Sequence, residues 1–396
     1  MTDAAPAAGA EGRASALSPP GVLFALFGAG ALLLPFLTLR ANRIVAGEGV
    51  APWDVAGSLP VALSLLGIGA GLLGGVLPRP ASLRLGASLV ALAGLVLLLV
   101  AGTRGLLDGA DDLARVSPAA GFWCLLAAAV LLMADALAAM RPGPWPRLVI
   151  LGAVLGTLGA LLWSGALDQL SPMQEYQGRA DDFRRATLRH AELSLGSLAA
   201  AALIGFPLGA LSFRHARLRA MVLPLLSFLQ TIPSLAMFGI MIPVLGWVAL
   251  SIPGARQFGI SGIGFAPAFF ALLLYSLLPV AANTVAGLGA VPPASIEAAR
   301  GMGMTRWQRF RIIEFPLALP VILAGLRIVL VQNIGLAVIA GLIGGGGYGT
   351  FVFQGLNQSA TDLILLGALP TVLMALVAAV VMDIVVELAQ PRMKRE

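Results

Sequence analysis

Charge is what this 396-residue sequence has least of. Only 11% of its residues are Asp, Glu, Lys or Arg, where a soluble domain carries roughly a quarter. With 59% apolar residues and a mean hydropathy of +0.93, that deficit excludes a water-soluble globular protein and points to an integral membrane one. The single cysteine, Cys124, rules out an internal disulfide and a cysteine-ligated metal cluster; in its apolar run it reads as a small core residue. No Gly-x4-Gly-Lys-Ser/Thr pattern occurs. The run of four glycines at Gly344 to Gly347 is not followed by Lys-Ser or Lys-Thr, so it reads as a sharp turn or a close backbone approach, not as a phosphate cradle. Any ATP used must be bound by another chain. Acidic pairs at the middle of apolar runs are also missing, which counts against an ion-coupled secondary transporter.

What the sequence has is long apolar runs. A hydrocarbon core of about 30 Å needs about 20 apolar residues at the helical rise. About ten such runs are present: Gly21 to Leu39, Ala56 to Leu77, Leu83 to Ala101, Pro118 to Met140, Leu148 to Leu167, Leu188 to Leu211, Met221 to Ala249, Phe265 to Gly289, Val321 to Ile343 and Leu363 to Leu388. The expected fold is therefore all-α with about ten transmembrane helices. The seventh run is long and holds Pro224, Pro233 and Pro243, which predicts a kinked, tilted or partly interfacial segment. The first run resembles a signal-peptide core but is long and has no clear cleavage site after it, so it is expected to be a retained span.

Orientation follows from the retention of Lys and Arg on the cytoplasmic side. With the N-terminus inside, the inner segments hold 15 Lys and Arg and the outer ones 9; Arg327 falls within a span. Both termini are then cytoplasmic, and Arg327 is expected to snorkel to the inner interface. The basic pI near 10.6 reads as topology and contact with membrane lipid, and nucleic acid is not an expected partner. His190 and His215 fall on opposite sides and cannot share a site. Asp135, Asp383 and Glu387 lie toward the inner ends of their spans, within reach of headgroups and water; Asp383 and Glu387 share a helix face.

Two sets of residues stand out. Uncharged polar residues occur inside spans: Gln230, Thr231 and Ser234 around Pro233, Tyr275, Asn283, Gln332 and Asn333. They suit a path for a polar solute, and equally suit hydrogen bonding between helices. The second set is the charged inner loop between the eighth and ninth runs. Pro292 and Pro293 start a short helix, Gly301 and Gly303 interrupt it, and Thr305 with Gln308 has capping-box spacing for a second helix. Trp307 and Phe310 stand among Arg306, Arg309 and Arg311, so the loop suits either a docking surface or an interfacial helix.

The pattern Glu297-Ala298-Ala299, three residues, Gly303, nine residues, Ile313, one residue, Phe315-Pro316 resembles the EAA loop of binding-protein-dependent ABC importer permeases, EAA-x3-G-x9-I-x-LP. Phe315 stands where Leu is usual. The stretches "LQTIPSLAMFGIMIP" and "GLIGGGGYGTFVFQGLNQ" are similar to the branch that imports glycine betaine, choline, carnitine and proline, with an N-terminal extension of the Yeh type. The resemblance covers about Leu188 to Gln390. It implies a five-helix MetI-like core at 188–396 with its inner loop at 290–320, and an extension of about five helices at 1–187. It further implies an inner-membrane location and docking of a separate ATPase subunit by Glu297, Ala298, Ala299, Gly303, Ile313 and Pro316. ATP and Mg would be bound by that partner, and no cofactor or metal by this chain. A periplasmic solute-binding protein, meeting the outer loops at 251–264 and 344–360, and a second permease chain complete the implied assembly. Tyr275, Trp247 and Phe238 are possible contributors to a weak cation site, and also ordinary core or lipid-facing residues. Another small polar solute, such as an amino acid, stays open.

Overall fold

The computed structural model describes residues 18–42, 45–55, 59–77, 80–111 and 113–390. Arg13, Arg43, Arg79, Arg392, Lys394 and Arg395 of the charge count lie outside the described residues. By packing, the chain divides into two compact units, Met1–Pro142 with Ser164–Ser171, and Gly143–Trp163 with Pro172–Glu396.

The first unit holds α1 (Pro19–Ala31), β1 (Leu37–Arg40), β2 (Glu48–Val50), α2 (Leu59–Val76), α3 (Ala81–Leu107), β3 (Arg115–Pro118) and α4 (Ala120–Met140). Helices α2 and α3 approach closely because Gly71 faces Ala87 and Ala91; a Cβ there would lie 2.6 Å from the Ala87 carbonyl oxygen. Small residues of this kind allow contact where lipid supplies no hydrophobic driving force.

The first predicted span needs correction. Its helix stops at Ala31, and at 13 residues it is about 20 Å long, short of the hydrocarbon core. Its ends are nevertheless fixed at opposite ends of the bundle. Ser18 N–H donates to the Val76 carbonyl where α2 finishes (3.2 Å), and Gly121 N–H, where α4 begins, donates to the Pro35 carbonyl (2.8 Å). Between α1 and β1 the chain runs through an irregular turn. The three strands form an antiparallel sheet in the order β2-β1-β3, an element the hydropathy pattern did not announce. At the other end Arg84 pairs with Asp135 at 2.8 Å and donates to Ser18, so Asp135 meets a cation instead of lipid headgroups. Phe36, Leu37, Leu98, Val116 and Leu125 lie at the centre of this unit's core.

The second unit holds α5 (Pro144–Trp163), α6 (Ser171–Gln177), α7 (Ala180–Arg214), α8 (Ala216–Thr231), α9 (Ser234–Ser251), α10 (Phe265–Gly289), α11 (Pro293–Gly301), α12 (Arg306–Arg309), α13 (Phe315–Leu336), α14 (Gly349–Asn357) and α15 (Thr361–Ala389). Helix α10 is its axis and the most buried span. Helices α7 and α13 flank it, α8 and α9 pack along it in succession, and α15 lies beyond α13 with α5 and α14 against it. The seventh run is two helices, parted at Pro233. Arg147 of α5 bonds Asp383 (2.8 Å) and Glu387 (3.1 Å) of α15, and Arg327 of α13 also bonds Asp383. Arg327 therefore reaches a carboxylate of a neighbouring helix, which the snorkelling expectation did not foresee.

Among the described residues nine helices are long and apolar enough to cross a membrane. With the pinned α1 segment they account for the ten expected runs, in a fold that is all-α apart from the small sheet.

Candidate functional site

The loop after α10 begins with Pro293 in the first turn of α11, where a missing N–H costs nothing. Ile296 packs against Leu288, Val291, Ala318 and Ile322, and Ala299 is wholly buried. Glu297 and Ala298 are turned outward and exposed. Of the first three of the six predicted docking residues, two thus present a surface, while the third is small because the loop closes over it. The spacing to Gly303 also has a physical cause. Gly303 N–H donates to the Arg300 carbonyl (2.9 Å) and Met304 N–H to the Ala299 carbonyl (3.1 Å), the paired bonds of a Schellman cap. Gly303 takes the left-handed conformation this requires, φ +76°.

Thr305 and Gln308 close the expected capping box, with both reciprocal bonds formed. The helix they start is not a separate one. It runs through α12 and a π turn at Phe310–Glu314 directly into α13, so the predicted second short helix is the first turn of the ninth span. Ile313 is half-buried and Pro316 exposed. Trp307 stacks on Phe310, and the Arg214 guanidinium lies 4.9 Å from the Phe310 ring centre.

The polar residues within the spans have definite tasks. Pro279 has no N–H to give the Tyr275 carbonyl one turn earlier; the Gln230 amide supplies it at 2.7 Å. The break at Pro233 leaves carbonyls at the end of α8 without helical donors, and hydrocarbon supplies none. Tyr275 Oη donates to the Ile232 carbonyl and Thr231 Oγ1 to that of Phe228. Asn333, fully buried, donates from Nδ2 to Ser197 Oγ (3.0 Å) and Ser276 Oγ (2.8 Å), joining α13 to α7 and α10. Asn283 donates to the Pro279 carbonyl at 2.8 Å. Ser234 opens α9 and is half-buried. Gln332 is different: among the described residues its amide has no side-chain bond, and it shares an open face of α13 with exposed Ile328 and Gly335. Phe238 and Tyr275 are packed in one core cluster, and Trp247 is exposed on α9.

At the opposite end from the charged loop, Gly344, Gly346 and Gly347 all have positive φ. They turn the chain onto α7, as the four-glycine run suggested. His190 fixes this turn: Nδ1 accepts from Tyr348 N–H (3.4 Å), which leaves Nε2 to donate to the Ile334 carbonyl (3.0 Å). A Cβ on Gly347 would meet His190 Nδ1 at 3.1 Å. Nothing in the sequence signalled this partnership across 158 residues. The 25 residues of helix between His190 and His215 span about 37 Å. Beside the turn lies an open cleft of about 530 Å³, lined by Arg179, Asp182, Arg185, Arg189, Glu192 and Gln354 among others.

Residues 193–395, more than half of the chain, match the model of the binding-protein-dependent transport system inner membrane component. The chain belongs to this family. The permease's residues 18–173 match a second model, the N-terminal domain of the ABC transporter permease YehY. Over 191 residues it is 43% identical to the osmoprotectant import permease protein OsmW of Salmonella typhimurium, covering 48% of this chain and 84% of that one. Over 195 residues it is 40% identical to the glycine betaine/carnitine/choline transport system permease protein OpuCD of Bacillus subtilis, covering 49% and 78%. It is also similar to a chain of the inward-facing MetNI methionine ABC transporter, at 23% identity and a TM-score of 0.44, covering 53% and 96%. The permease is thus a multi-pass inner-membrane transport component, and the resemblance read from its EAA pattern holds. Among the described residues no three of His, Cys, Asp and Glu gather as a metal site.

Proposed function

We propose that the permease is the transmembrane subunit of an ATP-driven importer of quaternary-amine osmoprotectants such as glycine betaine. The substrate class is that of the relatives OsmW and OpuCD. The observation that carries the mechanism is the outward pair Glu297–Ala298 on a short helix ended by Gly303. In this reading α11 enters a cleft of a cytoplasmic ATPase subunit, which binds ATP and Mg. Closing of two such subunits rocks the spans between inward-open and outward-open states. Both termini lie on the ATPase side. A periplasmic solute-binding protein delivers the solute at the end that carries the four-glycine turn, and a second permease chain completes the path. Residues 188–396 form the transport core and 1–187 an extension to it. On the path itself the open Gln332 amide is the leading candidate, because an unpartnered amide facing lipid is costly. Gln230, Thr231, Ser234, Tyr275, Asn283 and Asn333 shape the helices around it.

The test is a pull-down of tagged permease in mild detergent from its native host, comparing wild type with Glu297→Lys and Ala298→Asp. Ala299 is avoided because its substitution would disturb the loop's own packing. An ATPase subunit is expected with wild type and not with either variant, and labelled glycine betaine uptake should fall with it. If wild type carries no ATPase, or Glu297→Lys keeps it in full, the proposal is wrong.

A further inference from the structure

A helix that begins in a docking loop and continues as a membrane span can pass on motion only if its register with the loop is defined. Helix α13 has an irregularity at that point. Phe315 N–H donates to the carbonyl of Phe310, five residues back, so one turn is π rather than α. Pro316, directly after it, has no N–H to give, so one backbone bond that would hold the preceding turn in a single register is missing.

The side chains hold this register. In an α-helix residues five apart point about 140° away from each other; a π turn brings them onto the same side. Arg309 and Glu314 are five apart, and Arg309 Nε lies 2.6 Å from Glu314 Oε1, with both side chains largely withdrawn from solvent. Phe310 and Phe315, also five apart, have ring centres 6.1 Å from each other. Reversion to α geometry would separate both pairs. It would also turn α13 relative to the loop by about one residue's worth of helix, ~100° and ~1.5 Å.

The surroundings connect this turn to both sides. Phe310 touches Trp307 on the loop side and Arg214 of α7, and it joins Ile296 of α11 against Ala318 and Ile322 of α13. Further along, α13 carries Gln332 and Gly335 on its open face.

We propose that the π turn at Phe310–Glu314 is the joint through which the docked loop turns α13, and that Arg309 and Glu314 are the positioning residues that lock it. The proposal rests on the ATPase-docking role given above to α11. In the resting state the pair holds the π register. Movement of the loop breaks the pair, the turn passes to α, and the open face of α13 rotates.

The test reads α13 directly and needs no transported solute. In permease with Cys124→Ser and Gly335→Cys, purified with its ATPase, the labelling rate by a water-soluble maleimide is measured with and without ATP and vanadate. The Gly335 position has open space for the added side chain. Trapping should change the rate at least fivefold. Glu314→Gln should reduce that response to less than twofold while vanadate trapping and ATPase copurification persist; the charge swap Arg309→Glu with Glu314→Arg should restore it. If Glu314→Gln does not yield folded protein, Arg309→Gln puts the same question from the other partner. A Glu314→Gln response equal to wild type, or a swap that restores nothing, overturns the joint while leaving docking intact. A parent protein that brings down no ATPase overturns both readings.

Discussion

Asn333 offers a sharp test of whether the polar residues inside these spans line a path or hold helices together. The perturbation is Asn333→Leu, which keeps the branched heavy-atom skeleton and removes both donor bonds, to Ser197 Oγ and Ser276 Oγ. Hydrogen bonds between membrane helices average about 0.6 kcal/mol each, so the direct loss is about 1 kcal/mol. Orphaned partners would add about 1–3 kcal/mol each, but here none is left. Ser197 Oγ also donates to the Leu193 carbonyl (2.5 Å) and Ser276 Oγ to the Leu272 carbonyl (2.7 Å). The expected destabilisation is therefore about 1 kcal/mol, read as a shift in the SDS fraction that unfolds the protein from mild-detergent micelles. The KM for uptake should stay within twofold. Unchanged stability with a KM raised tenfold would put Asn333 on the solute path and refute the structural role. A loss of ~3 kcal/mol or more would refute the claim that the two serines remain satisfied.

Two further substitutions test neighbouring elements. Gly303→Ala forces a Cβ into left-handed backbone at a cost of about 1–2 kcal/mol, so α11 should fray at its end and ATPase recovery in the pull-down should fall partially; full recovery would mean the cap is dispensable. Tyr275→Phe strips the donor from the Ile232 carbonyl at the helix break. It should cost about 1–3 kcal/mol in the same SDS titration, and an unchanged midpoint would show that the break finds another donor.

The spans were legible because hydrocarbon demands unbroken apolar runs, and the loop was legible because its cap and capping box are local: Gly303 and Thr305–Gln308 act within six residues. What sequence reasoning missed is mostly long-range. His190 meets Tyr348, Arg147 meets Asp383, and Gln230 fills the carbonyl freed by Pro279 on another helix; no window along the chain shows such partners. The sheet was missed because its strands are three or four residues long and two of them abut apolar runs that absorb them. The burial of Ala299 was hidden for another reason, since a motif records residue types and not which way they face.

The attachment of α5 has a consequence for dividing the gene. The match to the YehY N-terminal domain runs to residue 173, but Trp163 and the helix before it pack with the second unit, while 164–171 return to the first, where Leu170 pairs with Val116. A shortened chain begun at residue 188 would leave Asp383 and Glu387 without Arg147. One begun at Gly143 keeps that cation. Keeping that ion pair therefore puts the cut between two complementing fragments at Pro142–Gly143, one helix earlier than sequence similarity to the family would place it, with 164–171 of the second fragment returning to the first.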